Sequence, residues 1–299
     1  MFRTIISLFL LATLNPMAVS QTAPISKTAE FNESSLLDVQ PIPIKNNDAI
    51  EPVIDAKAAL LMDYDTSTVM YSKNEYQPLP MASLTKIMTA SIILDSHKLD
   101  EVVTIDENYA AMSDDVLGVR MWLVKGEKIT VGNLLMGLLI PSAGDAAMAL
   151  AKYHSGSVGA FVKEMNKKAE ILNLKNTHFV NPIGMDAAGH YASAYDLAIL
   201  TKYALRNKDF RRIVRTTSAS VTSVDGKTVH QLNGTNFLLN SYLDIEGVKT
   251  GTTDGAGECL INLAKNENGR EIIVVLLNSP DRFQENKSII DWAFRNFSW

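Results

Sequence analysis

Cysteine is nearly absent from this chain, because Cys259 is the only one in 299 residues. A single cysteine excludes an intrachain disulfide, so the fold must be stabilised by burial of its apolar residues, which make up 46% of the chain. Cys259 lies in the apolar stretch GECLINLA. We therefore expect it to be a small core residue, since an unpaired cysteine is commonly buried.

Clusters of positive charge and metal-binding motifs are also missing. The net charge is −5 at pH 7, and no run of lysine and arginine suits the phosphates of a nucleic acid. The five histidines show no zinc-type spacing, and the H-x-x-E-H pattern does not occur. We therefore expect no nucleic-acid partner, metal or cofactor, and the sequence argues against a metal-dependent peptidase.

Only one long apolar run occurs, and it lies at the N-terminus. Arg3 precedes a mostly apolar segment from Thr4 to Leu14, and Ala18 and Ser20 are the small residues that a signal peptidase reads. This pattern predicts a signal peptide at residues 1–20 and export to the periplasm or cell-wall space. The alternative is an uncleaved anchor, but the run is short for a membrane span. We expect no stable membrane anchor after cleavage.

Composition divides the rest of the chain in two. Residues 21–51 are polar and contain several prolines, which predicts a flexible leader. Residues 52–299 are numerous enough to bury a sizeable core as one domain of one or two closely packed lobes.

Hydrophobic periodicity places strands at both ends of this domain and helices in its middle. The predicted strands comprise a hairpin over 58–74, strands near 101–105, 219–224, 228–232 and 246–250, and a second hairpin that turns at Asn268 and Gly269. The predicted helices cover about 83–97, 131–140, 143–154, 158–172, 194–206 and 283–297. This order predicts a mixed α/β (α+β) fold, in which the first and last strands share an antiparallel sheet and the central helices form an inserted lobe.

The stretch PMASLTKIMTA places Ser83 and Lys86 three residues apart, on one face of a predicted helix and among apolar neighbours. Burial favours the neutral form of a lysine. A serine needs such a base beside it to act as a nucleophile. Ser-x-x-Lys alone is expected about once by chance in a chain of this length. The alternative is an ordinary helix start capped by Ser83.

Two further candidate motifs follow in the sequence. Lys249-Thr250-Gly251 ends a strand-like segment, and this triplet is expected by chance in under about a tenth of such chains. Ser142 lies between two buried helices in IPSAGDAAMA, where a serine alone is typical of a cap or turn.

In this order the three pieces resemble the S-x-x-K, S-D-N-type and K-T-G motifs of penicillin-recognising serine enzymes. HFVNPIGMDAAGHYASAYDLA, VKTGTTDGAG and IIDWAFRNF add to the likeness. From about Ala56 to Phe297 the chain is similar to low-molecular-weight penicillin-binding proteins, the serine-type D-alanyl-D-alanine carboxypeptidase family. This implies a β-lactamase/D,D-peptidase-like fold with its site in a cleft between sheet and lobe. It also implies a peptidoglycan stem peptide ending in D-Ala-D-Ala as substrate and β-lactams as covalent inhibitors.

The resemblance also implies roles. Ser83 is the expected nucleophile, Lys86 its neutral base, with a pKa lowered by burial and by the charge of Lys249, and Ser142 a proton relay. The N–H groups of Ser83 and Thr252 are the expected oxyanion hole. The residues expected to bind the substrate, its carboxylate above all, are Lys249, Thr250, Gly251, Thr252 and Arg282. For Arg282 the alternative is a simple helix start. Asp186 and His190 are expected in a loop held by its own turn, and the alternative is that they line the cleft.

Two departures from the family pattern leave alternatives open. The central motif reads Ser142-Ala143-Gly144, without the usual asparagine. One lost hydrogen bond costs about a factor of two to twelve, so we expect a slow peptidase that Gly144→Asn improves modestly. The chain also reaches Trp299 directly after its last predicted helix, so we expect no additional β-rich domain or amphipathic tail. The alternatives are a D,D-endopeptidase of peptidoglycan cross-links, a catalytically impaired penicillin-binding module and, third, a β-lactamase.

Overall fold

The structure, a computed structural model, describes residues 41–46 and 50–299. The strands there are β1 Ile44–Lys45, β2 Ala58–Asp63, β3 Val69–Lys73, β4 Val102–Thr104, β5 Lys128–Thr130, β6 Ser218–Thr222, β7 Val229–Asn233, β8 Asp244–Thr253, β9 Gly257–Lys265, β10 Glu271–Ser279 and β11 Phe297–Ser298. The α-helices there are α1 Lys86–Ser96, α2 Asp114–Leu117, α3 Val131–Leu139, α4 Gly144–Ser155, α5 Val158–Ile171, α6 Ala194–Ala204, α7 Lys208–Val214 and α8 Arg282–Asn296.

A five-stranded antiparallel sheet has the order β3-β2-β10-β9-β8. The first hairpin of the domain therefore pairs with its last strands, as the sequence predicted. β2 is buried along its whole length, and β9 and β10 along most of theirs. β8 is an edge strand, so the backbone groups on its outer side have no neighbouring strand in this sheet.

The sheet separates two hydrophobic clusters, and alternate residues of β10 enter opposite ones. Val275 belongs to the cluster that the helical lobe completes around α1, whereas Val274 and Leu276 face the cluster formed with α8. This alternation follows from the period of two in a strand. Because both faces are covered, β10 reads in the sequence as a continuous apolar run.

Helix α1 lies at the centre of the lobe. Its residues 86–93 are all buried, and it contacts α3, α4, α5, α6 and α7. A helix enclosed on all sides needs apolar or small residues all round. The sequence KIMTASII meets this requirement with the exception of Lys86, whose charge therefore needs an explanation.

Predictions outside the motifs have different outcomes. The signal peptide and most of the leader lie outside the described residues, so both stay predictions. At the end of the predicted leader, β1 pairs with β11. Helix α7 was not predicted, although Asn207 caps it by accepting from the N–H groups of Asp209 and Phe210. Cys259 is fully buried, as expected, and burial raises its pKa to about 11.

Candidate active site

Ser83 lies in a short 3-10 turn, Ala82–Thr85, directly before α1. Ala82 has a φ of +48°, in the left-handed region. Its carbonyl passes so close to Gly184 that a Cβ on Gly184 would lie 2.0 Å from the oxygen. The turn that presents Ser83 therefore depends on Gly184, which lies 101 residues after Ser83 in the sequence.

A chain of hydrogen bonds through Thr85 and His190 holds this turn in place. The Thr85 hydroxyl donates to the carbonyl of Ala82 (2.8 Å) and accepts from Nε2 of His190 (2.8 Å). Nδ1 of His190 in turn accepts from the N–H of Val180 (3.0 Å), so the proton of the neutral ring lies on Nε2. Burial lowers the pKa of His190 to about 4. The ring is therefore neutral at neutral pH and holds the nucleophile turn in place.

Lys86 is placed to act as a base toward Ser83. Its Nζ lies 3.0 Å from Oγ of Ser83 and donates to the carbonyl of Ile183 at 2.7 Å. The residue is 1% exposed, and burial lowers its pKa to about 7, against the attraction of the Asp145 carboxylate, which raises it. The neutral amine that a base requires is therefore accessible to Lys86 near neutral pH.

Lys249 lies on β8, where it is almost fully buried, and it donates to the carbonyl of Thr250 at 2.9 Å. Its pKa is lowered well below the usual value by burial, and further by the charges of Lys86 and Arg282. Lowering of the Lys86 pKa by burial was expected, but the expected contribution of the Lys249 charge to it was wrong: the charge of Lys86 lowers the pKa of Lys249, and no reverse effect is found. Burial is the larger cause of both shifts, and the charge that acts on Lys86 is that of Asp145, in the opposite direction.

Ser142 lies on the opposite side of the cleft, just before α4, with a φ of +72°. It is 7% exposed, and its Oγ has no hydrogen-bond partner among the described residues. A buried hydroxyl without a partner is costly. This hydroxyl is therefore available to a bound substrate.

The cleft between these elements has a volume of about 430 Å³. The predicted site residues that line it are Ser83, Lys86, Ser142 and Thr252. The other lining residues are Asp115, Leu117, Gly118, Val119, Ile183, Met185, Asp186, Thr253 and Asp254. Sequence reasoning missed the segment 115–119, which carries no motif and reaches the cleft through contacts distant in the sequence.

The remaining predicted substrate-binding residues lie on and beside β8. Arg282, the first residue of α8, donates to the carbonyl of Gly251 (2.9 Å) and to the hydroxyl of Thr252 (2.5 Å). It thus begins a helix and also reaches the site, so the two readings of PDRF are compatible. The Thr250 hydroxyl is buried and bonds that of Thr235. Thr252, rather than Thr250, therefore offers its hydroxyl to the cleft.

Gly251 allows β8 to approach the nucleophile turn. A Cβ at this position would lie 2.9 Å from the N of Ser83 and 3.0 Å from the Cβ of Ala82. The N–H groups of Ser83 and Thr252, the predicted oxyanion hole, thus belong to a turn and an edge strand that meet at this glycine. Their role stays a prediction.

The expectation for Gly144 needs correction. A Cβ here would lie 1.8 Å from the carbonyl oxygen of Leu117, and the Gly144 N–H donates to the carbonyl of Val119 at 2.7 Å. The space that the missing asparagine would need is thus filled by backbone. Gly144→Asn cannot improve the site as expected, because any side chain would push the segment 117–119 away.

Asp145 does not replace the asparagine either. Its carboxylate is fully buried and accepts from the N–H groups of Met121 (3.0 Å), Leu123 (3.1 Å) and Ala146 (2.9 Å). The carbonyl of Met121 also contacts Nδ1 of the buried His230 at 2.8 Å. Asp145 therefore anchors the segment that leads into the cleft.

Asp186 lines the cleft and is not held by its own turn. It accepts from the hydroxyl of Thr253 (2.7 Å) and the N–H of Gly255 (2.8 Å), across the cleft end at the β8–β9 turn.

Over residues 41–46 and 50–299, no group of three or more histidine, cysteine, aspartate or glutamate side chains is arranged to hold a metal ion. In the same ranges, no helix has both the length and the apolar character of a membrane span.

A serine with an adjacent lysine of lowered pKa, in a cleft between a sheet edge and a helical lobe, defines a class: serine enzymes that use lysine as the base. The comparison with known families is more specific. The model of the peptidase S11 family, D-alanyl-D-alanine carboxypeptidase, matches residues 45–280. The chain belongs to this family.

Curated relatives are similar over most of this chain. The carboxypeptidase DacF of Bacillus subtilis is 39% identical over 250 residues, covering 81% of this chain and 63% of that protein. DacD of Escherichia coli is 34% identical over 278 residues, covering 90% and 70%. The chain thus spans just under two thirds of the length of DacF.

Solved structures share the fold. The Streptomyces K15 DD-transpeptidase superposes with a TM-score of 0.77 at 32% identity, over 82% of this chain and 99% of that one. Penicillin-binding protein 6B of Escherichia coli gives 0.76 at 33% identity, over 85% and 82%. The predicted fold, an antiparallel sheet flanked by helices with an inserted helical lobe, is confirmed.

Proposed function

We propose that this protein is a serine-type D-alanyl-D-alanine carboxypeptidase that releases the terminal D-alanine of peptidoglycan stem peptides, and that β-lactams acylate it. The observation that carries this proposal is the pair Ser83 and Lys86, with Nζ 3.0 Å from Oγ and a lysine pKa of about 7. Family membership supports the reaction class.

The first chemical step is acylation. Oγ of Ser83 attacks the carbonyl carbon of the penultimate D-alanine, and its proton passes to neutral Lys86. The oxyanion would face the N–H groups of Ser83 and Thr252. The C–N bond then breaks. The leaving amine of D-alanine receives the proton from Lys86, with the free hydroxyl of Ser142 as the relay.

Hydrolysis completes the cycle. Water attacks the ester carbonyl, Lys86 takes a proton from this water, and the proton returns to Oγ of Ser83 as the acid leaves. The terminal carboxylate of the substrate would bind at the hydroxyl of Thr252. Arg282 lies 2.5 Å from this hydroxyl, and Lys249 lies buried on the same strand.

We also propose that the protein is exported to the periplasm or cell-wall space. Support comes from the signal-peptide pattern of residues 1–20 alone. Mass measurement of the protein isolated from its cell envelope would test cleavage after Ser20.

The activity is tested with a labelled penicillin and peptide mapping of the adduct. We expect one label, on Ser83, and none in Ser83→Ala.

The acylation rate should rise with pH through about 7, because only neutral Lys86 accepts the proton. Lys86→Ala and Lys86→Arg should both be inactive, since arginine keeps its proton. A label on Ser142, or a flat pH–rate profile, would contradict the assignment.

Incubation with a pentapeptide monomer and with a purified cross-linked muropeptide dimer separates the carboxypeptidase from the endopeptidase. Release of D-alanine from the monomer, with the dimer left intact, supports the proposal. Cleavage of the dimer alone would replace it with an endopeptidase.

A further inference from the structure

A short segment that enters the cleft lining, residues 181–186, is called the bridging loop below. Two successive carbonyls of its backbone meet helix α1. The Pro182 carbonyl accepts from the buried hydroxyl of Thr89 (2.8 Å), and the Ile183 carbonyl accepts from Nζ of Lys86 (2.7 Å). Lys86 and Thr89 are three residues apart and therefore share one face of α1. The bridging loop thus lies along the helix face that carries the base.

The Ile183 carbonyl decides how a neutral Lys86 amine is oriented. A neutral amine has two N–H groups and one lone pair. Because a carbonyl can only accept, one N–H must point to Ile183, at 2.7 Å, while Oγ of Ser83 lies 3.0 Å from the same Nζ. The lone pair can then face Ser83 and take its proton. The base therefore depends on the position of a backbone carbonyl as well as on its own burial.

Asn181 holds this part of the backbone in place. Its Oδ1 accepts from three consecutive N–H groups, those of Ile183 (3.1 Å), Gly184 (2.7 Å) and Met185 (3.2 Å). Its Nδ2 donates to the carbonyl of Met185 at 2.9 Å. Three N–H groups that converge on one atom require an oxygen there, which fixes the orientation of the amide. One side chain thus sets the backbone conformation of the bridging loop.

The sequence of the loop restricts the same backbone from both sides of Ile183. Pro182 has a fixed φ, and it confines Asn181 before it to extended backbone. Gly184 has a φ of +98° and no Cβ where it passes the carbonyl of Ala82. Few conformations therefore remain for the residue whose carbonyl meets the base.

The far end of the bridging loop is held as well. Asp186 accepts from Thr253 and Gly255 in the segment where β8 turns into β9. Asn181, at the other end, is half-buried and is not among the described residues that line the cleft. It can therefore affect the reaction only through the backbone that it holds.

We propose that Asn181 is the positioning residue for the base: it aims the Ile183 carbonyl at Nζ of Lys86 and so turns the lone pair of the neutral amine toward Ser83. The inference rests on the proposed carboxypeptidase function and deepens it, because it adds to the site a residue outside the three motifs.

Asn181→Ala tests the proposal through the rate of acylation by a saturating penicillin, measured against pH. On the alkaline plateau Lys86 is neutral, so a slower rate there reports placement rather than protonation. We expect the plateau rate to fall about tenfold to a hundredfold, the effect of a small misplacement of a reacting group. The midpoint should also fall below about 7, because the ammonium form loses an acceptor while the charge of Asp145 is unchanged.

Two matched variants separate positioning from general damage. Asn181→Asp keeps an oxygen for the three N–H groups and loses only the donor to Met185, so its plateau rate should lie closer to that of the wild type. Its negative charge should raise the midpoint instead of lowering it. Asn266→Ala removes a side chain that accepts from the N–H groups of Asn268 (3.0 Å) and Arg270 (2.9 Å) in the β9–β10 turn, and it should change neither quantity.

The outcomes distinguish this inference from the proposed function. A folded Asn181→Ala with the wild-type plateau rate, or with a slower rate and an unchanged midpoint, overturns the inference. An Asn181→Asp that is no faster than Asn181→Ala on the plateau also overturns it. If Asn181→Ala does not fold, Asn181→Ser takes its place, with the same expected directions and the same contradicting results. Failure of penicillin to acylate the wild type at Ser83 overturns the proposed function, and this inference with it.

Discussion

The two walls of the cleft are built in different ways. The strand wall, residues 249–253 of β8, pairs residue by residue with β9. The lobe wall, formed by Ser142–Gly144 and residues 113–119, has no such ladder; residues 113–119 include the short helix α2 and are called the cleft loop below. It is held by single contacts, of Gly144 with Leu117 and Val119, and of Asp145 with Met121 and Leu123. The strand wall contains the intact K-T-G motif, and the lobe wall is where the sequence departs from the family.

This difference shows where a motif residue can be lost. A residue in a paired strand cannot move without breaking the ladder beside it. In the lobe wall, the backbone of a neighbouring segment has taken the place of a side chain. Changes to the lobe wall should therefore displace the cleft loop as a unit, whereas changes to the strand wall should stay local.

Gly144→Ala should have the largest effect. The added Cβ would meet a backbone oxygen at 1.8 Å, so we expect a loss of about 3 kcal/mol in the free energy of unfolding and loss of most penicillin acylation. Gly159→Ala is the matched control, because a Cβ there meets nothing within 4 Å and should stabilise helix α5 by up to about 1 kcal/mol. Wild-type stability and acylation in Gly144→Ala would contradict the backbone replacement.

His190→Gln tests the turn on which the strand wall packs. Folded His190 stays neutral down to a pKa of about 4, whereas in the unfolded chain it takes up a proton near 6.5. Unfolded chains therefore bind more protons between these values, and the free energy of unfolding should fall as the pH drops from 6.5 to 4, by at most about 3 kcal/mol. Denaturant titrations at several pH values in this range should show that the free energy of unfolding depends less on pH in the variant than in the wild type. The same pH dependence in both proteins would contradict a neutral, buried His190.

Asp145→Asn tests the anchor of the lobe wall. An amide cannot accept all three N–H bonds, so we expect a loss of about 2 kcal/mol in the free energy of unfolding. Removing the charge that raises the pKa of Lys86 should also move the midpoint of the acylation pH profile below 7. Asp106→Asn, which removes an exposed partner of Lys152, should leave this midpoint in place. A shift toward alkaline pH would contradict the electrostatic assignment.

Gly251→Ala probes the strand wall and should have the smallest effect on stability. Its Cβ would lie 2.9 Å from the N of Ser83, so we expect about 1 kcal/mol of destabilisation together with slower acylation. The ladder with β9 should persist. Hydrogen exchange of the β9 amides that matches the wild type would support this, whereas faster exchange throughout β9 would contradict a local effect.

The strand wall and the nucleophile turn could be predicted from the sequence because their signals are local. Lys249-Thr250-Gly251 lies in an apolar strand pattern, and Ser83 and Lys86 are three residues apart at a helix start. The sheet order followed from apolar runs at both ends of the domain. The fold and the placement of Ser83 and Lys86 were thus accessible without coordinates.

The lobe wall could not be predicted, since it depends on contacts across 22 to 27 residues that no short motif records. The space at Gly144 is decided by the carbonyl of Leu117. The role of Asp145 depends on where Met121 and Leu123 fall. Asp115 carries no sequence signal, because it reaches the cleft only through the position of the cleft loop.

The rate at which Cys259 reacts can report motion beside the strand wall. It pairs with Gly251 in the β8–β9 ladder, it is fully buried, and it is the only thiol of the chain. With a pKa raised to about 11, the thiol should not react while the ladder is closed. Cys259 belongs to the cluster between the sheet and the helical lobe, so the rate at which a thiol reagent modifies the native protein measures how often this cluster opens beside the strand wall. A covalent β-lactam that spans the two walls should slow the modification of Cys259.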